Sequence, residues 1–224
     1  MTEIRLHSLV LAADYRVPDI EQMWQSLRGR ESDLAGIGAH HVVVYASAWE
    51  SGRVFVTIGV HHREPVPELL RSPVIFEWFD VAGLDDIPAV FAGEVVEKLD
   101  LYPGSSAPGV VVAAMASVDN LGALIARAHS AVDRFRAAGV RQIWVYQAFD
   151  NDREVLILQE LDDEMSARQW LDHPDAAAEW ISGAGRGPYP PVFVGRFAHM
   201  MTIRKERPVG SEERPSVFEP ESSP

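Results

Sequence analysis

Few residues of this chain could do chemistry, and three of them lie within apolar segments of strand length. Tyr45 and Tyr146 end two similar tripeptides, Val-Val-Tyr and Trp-Val-Tyr. A phenol that points into a hydrophobic cavity can orient an aromatic molecule, although such a pair can also simply pack. His7, in the apolar stretch 6–13, could accept a proton there or be a buried histidine with satisfied hydrogen bonds. We take His7, Tyr45 and Tyr146 as the catalytic candidates.

Two pairs of adjacent histidines, His40-His41 and His61-His62, lie at predicted strand ends. Adjacent imidazoles could act as a base or as metal ligands. Because successive strand residues point to opposite faces, the members of either pair are not expected to share one ion. We therefore predict no metal site. His61 remains a substrate-binding candidate, with a solvated loop as the alternative.

The other substrate-binding candidates are four tryptophans and one arginine. The tryptophans lie on predicted helices, where both core packing and a pocket wall require large apolar side chains; they are Trp24, Trp78, Trp170 and Trp180. Arg186 lies in the glycine-rich segment 183–188 and could contact an anionic group of a substrate. This segment follows a helix instead of joining a strand to a helix N-terminus, so it is not interpreted as a phosphate loop.

Composition excludes several classes of function. The chain has 224 residues, with 20 Lys+Arg against 33 Asp+Glu and a formal net charge of −13. Such an acidic surface repels nucleic acid and anionic membranes, so neither is expected as a partner. The absence of cysteine excludes disulfides, thiolate metal sites and cysteine nucleophiles. We predict no cofactor and a cytoplasmic location, and the arginine-rich basic residues suggest a bacterial source.

The chain resembles itself at an offset of 101 or 102 residues. Four short matches recur in the same order, and the segments between them share a hydrophobic pattern, which indicates a tandem duplication. The predicted strands are 6–11, 41–49, 54–60 and 89–99 in the first half and 110–115, 142–149, 155–161 and 192–203 in the second. The predicted helices are 18–27, 67–71 and 73–81, then one from its N-cap Asp119 to Gly139, 166–171 and 174–181.

Each half therefore has the order βαββαβ, and the predicted class is α+β with two ferredoxin-like repeats. Helices cover one face of each antiparallel sheet. Because the strands are apolar almost throughout, the other face must also be buried, and the sheet of the other half is the natural cover. We predict repeats at 1–101 and 110–204, a linker at 102–109 and a flexible tail at 205–224.

The segment 162–180 resembles the second helix of the dimeric α/β-barrel superfamily, which includes the antibiotic-biosynthesis monooxygenases. The resemblance rests on an acidic run, a small residue, the aromatic Trp170 and a proline break at Pro174. In that family two subunits pair through their sheets into a barrel. The resemblance therefore implies an intrachain pseudo-dimeric α/β barrel, and two such chains could pair further as a homodimer.

Members of this family bind small, mostly hydrophobic molecules between the sheet and its helices, and their reactions include cofactor-free oxygenation, haem cleavage and isomerisation. The haem-cleaving members use an Asn on the first strand with a Trp and a His on the second helix. Here Trp170 matches the Trp, but Glu179 stands where the His is expected. Asparagine occurs only at Asn120 and Asn151, in predicted loops. Haem degradation is therefore disfavoured.

The resemblance implies binding of a small hydrophobic or aromatic molecule. If the chain is an enzyme, the implied activity is that of a cofactor-independent monooxygenase or an isomerase. The alternative is a non-catalytic ligand-binding or interaction module whose pockets are filled by side chains.

Overall fold

Antiparallel strands and short helices alternate along the chain in a computed structural model that describes residues 9–61, 88–102, 109–172 and 192–203. The strands are β1 (Leu9–Arg16), β2 (Ala39–Ser47), β3 (Arg53–Val60), β4 (Val90–Asp100), β5 (Val110–Ser117), β6 (Val140–Ala148), β7 (Glu154–Leu161) and β8 (Phe193–Thr202). All eight predicted strands are present. The strand β1 continues five residues beyond its predicted end at residue 11, and residues 6–8 of that prediction lie outside the described part of the chain. The predicted helices at 67–71, 73–81 and 174–181, most of the linker and the tail lie outside the described residues.

Five helices are described: α1 (Ile20–Arg28), α2 (Glu31–Gly36), α3 (Leu121–Ser130), α4 (Val132–Ala137) and α5 (Glu164–Asp172). The predicted cap Asp119 is wrong, because the side chain of Asn120 accepts the hydrogen bond from the Ala123 amide at 2.9 Å. Gly139 ends this region at φ +77°, as predicted. None of the described helices has the length and apolar character needed to cross a membrane.

The eight strands form one closed barrel in the order β1-β3-β2-β8-β5-β7-β6-β4, with β4 paired back to β1. The first four strands have the order β4-β1-β3-β2, and the last four have the same order, β8-β5-β7-β6. The two sheets join through the pairs β2–β8 and β4–β6, which we call the seams. The predicted α+β class with antiparallel sheets joined in an intrachain barrel is confirmed. Closure leaves no free sheet edge.

The strands β1, β3, β5 and β7 bury both faces along almost their whole length, which explains why they are nearly continuous apolar runs. Outward-facing residues pack under α1 and α2 in one layer and under α3, α4 and α5 in another. Inward-facing residues form a third cluster inside the barrel: Val10, Ala12, Val43, Tyr45, Phe55, Phe91, Val111, Ala113, Met115, Ala148, Leu156, Leu158 and Phe193.

Because every neighbouring pair is antiparallel, β1, β2, β5 and β6 all run in one direction. We call the end at which these four strands begin the lower end, and the other the upper end. At the upper end the buried guanidinium of Arg53 donates to Asp14 at 2.6 and 2.9 Å, and it also pairs with Glu50. The same guanidinium lies 5.4 Å from the ring centre of Phe193. These contacts join β1, β3 and β8 at the upper end.

The seams bring backbones very close at two glycines. A Cβ atom on Gly93 would lie 2.3 Å from the carbonyl oxygen of Gln147 across the β4–β6 seam. A Cβ atom on Gly195 would lie 2.7 Å from the carbonyl oxygen of Ala46 across the β2–β8 seam. Only glycine fits at these two places without a shift of the backbone.

We expect Gly93→Ala to lower the free energy of unfolding by about 1 to 3 kcal/mol, because the added methyl group overpacks the seam. Gly36→Ala is the matched control, since nothing lies within 4 Å of a Cβ atom there. Urea unfolding of both variants and the wild type measures the difference. Equal stability of the two variants would show that the seam tolerates a side chain.

Candidate functional site

Tyr45 and Tyr146 meet inside the barrel, as their matching positions in the two halves suggest. Tyr45 is buried on β2 and packs edge-on against Phe197, with ring centres 6.4 Å apart, and Tyr146 is half-buried on β6. Each tyrosine lies at a seam beside a β-bulge, at Ala198 for Tyr45 and at Val96 for Tyr146. Bulges of this kind redirect neighbouring side chains and are common beside functional sites.

Both phenols are held protonated. Burial raises the pKa of Tyr45 and of Tyr146 above the ordinary value, and the nearby charge of Glu160 raises both further. Within the part of the chain that the structure describes, neither hydroxyl makes a hydrogen bond. Neither hydroxyl is a fully buried atom without a partner, so each oxygen keeps some exposed surface at which a ligand or a water molecule can bind. The pair therefore offers two hydrogen-bond donors to a molecule in the barrel.

Glu160 is the carboxylate whose charge acts on both tyrosines, and it was not among the candidates predicted from the sequence. It lies on β7 in register with Leu156 and Leu158, which both face the interior. Burial raises the pKa of its carboxyl group, while the positive charges of Arg141 and Lys98 lower it and Asp100 raises it. A signal was present in the sequence: a glutamate at an inward position of a strand that is otherwise apolar.

Polar residues surround Glu160 at the lower end of the barrel. Gln142 is its cross-strand partner on β6 and donates to Asp100. Lys98 pairs with Asp100 at 3.2 Å, and its ammonium group lies 5.6 Å from the ring centre of Trp144. Exposure falls from Lys98 and Asp100 at the rim, through half-buried Glu160, to buried Tyr45. The lower end is thus polar at the rim and aromatic inside.

Three imidazoles cluster on the first-half side of the lower end. The Nδ1 atoms of His40 and His41 are 2.7 Å apart, and the rings of His40 and His61 are 4.4 Å apart. The expectation that His40 and His41 point to opposite faces is wrong, because a register shift between Ala39 and His41 forms a bulge. The described residues nevertheless include no group of three or more metal-ligating side chains arranged to hold an ion.

The described tryptophan candidates lie outside the barrel, on the helix-covered faces of the sheets. Trp24 stacks on His199, with ring centres 4.8 Å apart and planes 9° apart. The indole Nε1 of Trp170 donates to the buried Gln159 at 2.7 Å. Both tryptophans belong to outer layers. The structure therefore does not bring Trp24 or Trp170 together with Tyr45 and Tyr146.

Four other predicted site residues lie outside the described part of the chain: His7, Trp78, Trp180 and Arg186. Their roles stay predictions. His61 is exposed just after β3, and its ring belongs to the imidazole cluster.

The comparisons with known proteins support the fold. No protein-family profile and no curated protein sequence matches the chain. Among solved structures, an anthrone oxidase-like protein superposes with a TM-score of 0.65 at 13% identity, covering 92% of this chain and 98% of its own. A ferredoxin-fold protein of Listeria monocytogenes, related to antibiotic biosynthesis monooxygenases, superposes at 0.50 with 11% identity, covering 88% and 99%. A heme-degrading enzyme of the same organism gives 0.50 with 11% identity, covering 85% and 99%. This chain therefore shares its fold with these three proteins.

We expect acid to destabilise the fold through the imidazole cluster. Burial and the neighbouring imidazoles lower the pKa of His40 to about 4, and burial lowers that of His41. Unfolded histidines have a pKa of about 6.5, so the unfolded chain binds more protons below that pH and stability falls as pH drops from about 6.5 toward 4. Urea unfolding of the wild type and of a His40→Gln, His41→Gln variant at pH 7.5 and pH 5 measures this.

The stability difference between wild type and variant should shift in favour of the variant at pH 5. Comparing the two proteins at each pH removes the contribution of the carboxylates, which both share. The same difference at both pH values would mean that the cluster does not exclude protons in the folded state.

Proposed function

We propose that the barrel interior binds a small hydrophobic or aromatic molecule and that the protein oxygenates this molecule with dioxygen and without a cofactor. The observation that carries the proposal is the pair of phenols on β2 and β6, buried Tyr45 and half-buried Tyr146, whose hydroxyls make no hydrogen bond within the described residues. Aromatic side chains beside them, such as Phe197 and Trp144, suit a planar ligand.

An anthrone is a fitting test substrate, because the anthrone oxidase-like protein shares the fold over nearly its whole length. Its methylene group, between two aromatic rings, is acidic, and the carbanion formed there can react with dioxygen. Conversion of this methylene to a carbonyl consumes one dioxygen and releases one water. The protein would need to supply a dry pocket, a base and hydrogen-bond donors to the developing oxyanion.

The architecture also supports a tandem duplication with repeats at 1–101 and 110–204. The two sets of four strands share one order. Gly93 and Gly195 make the same close approach at the two seams, and each seam carries a bulge beside its tyrosine. We infer that the chain is a single-chain equivalent of a two-subunit barrel.

A thermal-shift screen with anthrones, acyl-CoA and haem tests for a ligand, since a molecule bound only by the native state raises the melting temperature. We expect a shift with anthrones. Oxygen consumption with 1,8-dihydroxyanthrone, corrected for its spontaneous oxidation, then tests for turnover. Binding without turnover would favour a non-catalytic binding module, and no shift with any class would favour an interaction module.

We expect Tyr45→Phe and Tyr146→Phe each to weaken anthrone binding about 3- to 10-fold, because each removes one hydrogen bond worth about 0.5 to 1.5 kcal/mol. The unliganded variants should be as stable as the wild type, since the lost hydroxyl has no partner among the described residues. Titration followed by tryptophan fluorescence gives the affinities, and thermal melts give the stabilities.

Tyr15→Phe is the matched control. Tyr15 is a buried tyrosine of β1 whose hydroxyl donates to the sulfur of Met23 at 3.4 Å in the outer layer. It should leave anthrone affinity unchanged. If alanine at His7, Tyr45 and Tyr146 together left binding and turnover unchanged, the site assignment would be wrong.

A further inference from the structure

We propose that Glu160 is the catalytic base: its carboxylate removes the proton from the acidic carbon of the bound molecule, while Tyr45 and Tyr146 donate hydrogen bonds to the oxygen that gains the negative charge. The proposal rests on the proposed function for the class of substrate. It adds the residue that begins the reaction, which lies at the lower end of the barrel, below the two phenols.

The strand geometry places Glu160 inside the barrel. Alternate residues of β7 face inward, and Leu156 and Leu158 belong to the interior cluster. Gln159 and Leu161, on either side of Glu160, face the outer layer, where Gln159 accepts from Trp170. The carboxylate therefore shares the interior with the two phenols.

The hydrogen bonding around Glu160 leaves its carboxylate available. Among the described residues, no donor makes a hydrogen bond to it. The two cations nearest to it are engaged elsewhere, because Lys98 pairs with Asp100 and Arg141 lies 3.5 Å from Asp162. A half-buried carboxylate with free lone pairs can accept a proton from a ligand.

Opposing electrostatic effects act on the pKa of the Glu160 carboxyl group, as suits a base that must be ionised before the reaction and must then bind a proton. Burial and Asp100 raise the pKa of Glu160, and Arg141 and Lys98 lower it. The charged groups that act on Glu160 are Arg141, Lys98 and Asp100. The two phenols are neutral, because burial and the charge of Glu160 raise their pKa values. One group is thus tuned to accept a proton and two are tuned to donate hydrogen bonds.

The proposed step balances as a simple proton transfer. The C–H bond of the methylene breaks, and the proton moves to an oxygen of Glu160. The electron pair of that bond stays on the substrate and delocalises onto its carbonyl oxygen. The phenols of Tyr45 and Tyr146 stabilise that oxyanion. Glu160 can return its proton to water, because it lies beside the exposed rim formed by Lys98 and Asp100.

Two carboxylates lie at this level in the described residues, but Asp100 accepts from Gln142 and pairs with Lys98, so Glu160 alone is without a hydrogen bond there. The corresponding place on β3 is Gly59, whose cross-strand partner is His41, as that of Glu160 is Gln142. A Cβ atom on Gly59 would lie 2.2 Å from Cε1 of His41, so the imidazole fills the space that a side chain would need. The first half therefore offers no counterpart to Glu160, and one reaction site per chain follows.

Hydrogen–deuterium exchange at the methylene of 1,8-dihydroxyanthrone, followed by NMR without dioxygen, tests the base directly. This readout needs proton removal but no oxygenation. We expect the wild type to accelerate exchange and Glu160→Gln to reduce that acceleration about 10²- to 10⁴-fold, the usual contribution of a positioned base. Anthrone affinity of this variant should stay within a few-fold of the wild type.

Glu154→Gln is the matched control, because Glu154 lies on the same strand at the upper end, where it accepts from Asn151 at 2.9 Å. It should exchange like the wild type. Exchange that persists in Glu160→Gln, or a wild type that binds anthrone and does not accelerate exchange, would overturn the proposal. Exchange that depends on Glu160 without oxygen consumption would support the base and refute the oxygenase function.

Discussion

Closure of the barrel at its two seams is the constraint on which the rest of the structure depends. The interior exists only because β2 pairs with β8 and β4 pairs with β6. Each four-stranded sheet would otherwise expose an apolar face and two edges to water. The seams also carry the bulges at Ala198 and Val96, beside Tyr45 and Tyr146. The strand pairing that joins the two sheets therefore also positions the two tyrosines.

The barrel interior contains packed and paired side chains that stabilise the fold, and it also contains polar side chains without hydrogen bonds that do not stabilise it. Phe55 and Phe193 pack with ring centres 5.5 Å apart toward the upper end, where the Arg53 guanidinium and the Asp14 carboxylate are paired. Glu160 lies at the lower end, in register with Gln142, and the two phenols lie further up the barrel, in register with Phe55 and Leu156. None of the three side chains makes a hydrogen bond within the described residues, and proteins keep partly buried polar groups in that state mainly at functional sites.

The sequence predicted the strands well because their β-branched runs are bounded by clear turns. It could not predict α2, whose residues Ser32, Asp33 and Gly36 have low helix propensity. Asn120 and Asp119 are both good caps, and only the backbone geometry decides between them.

The candidate site was predicted in part. The tyrosine pair was found from self-similarity, whereas the histidine cluster requires a bulge, which strand periodicity does not show. Glu160 was missed because a charged residue near a strand end is usually solvated. Its inward position at half burial becomes visible only when β7 is placed in the closed barrel.

Joining both sheets in one polypeptide has a consequence for how the two halves of the barrel can differ. Gly59 on β3 and Glu160 on β7 occupy corresponding places, opposite His41 and Gln142. A barrel built from two copies of one chain would carry the same side chain at both places. In a single chain, one half can keep a glycine packed against an imidazole while the other half carries a carboxylate, so the two corresponding positions are free to serve different purposes.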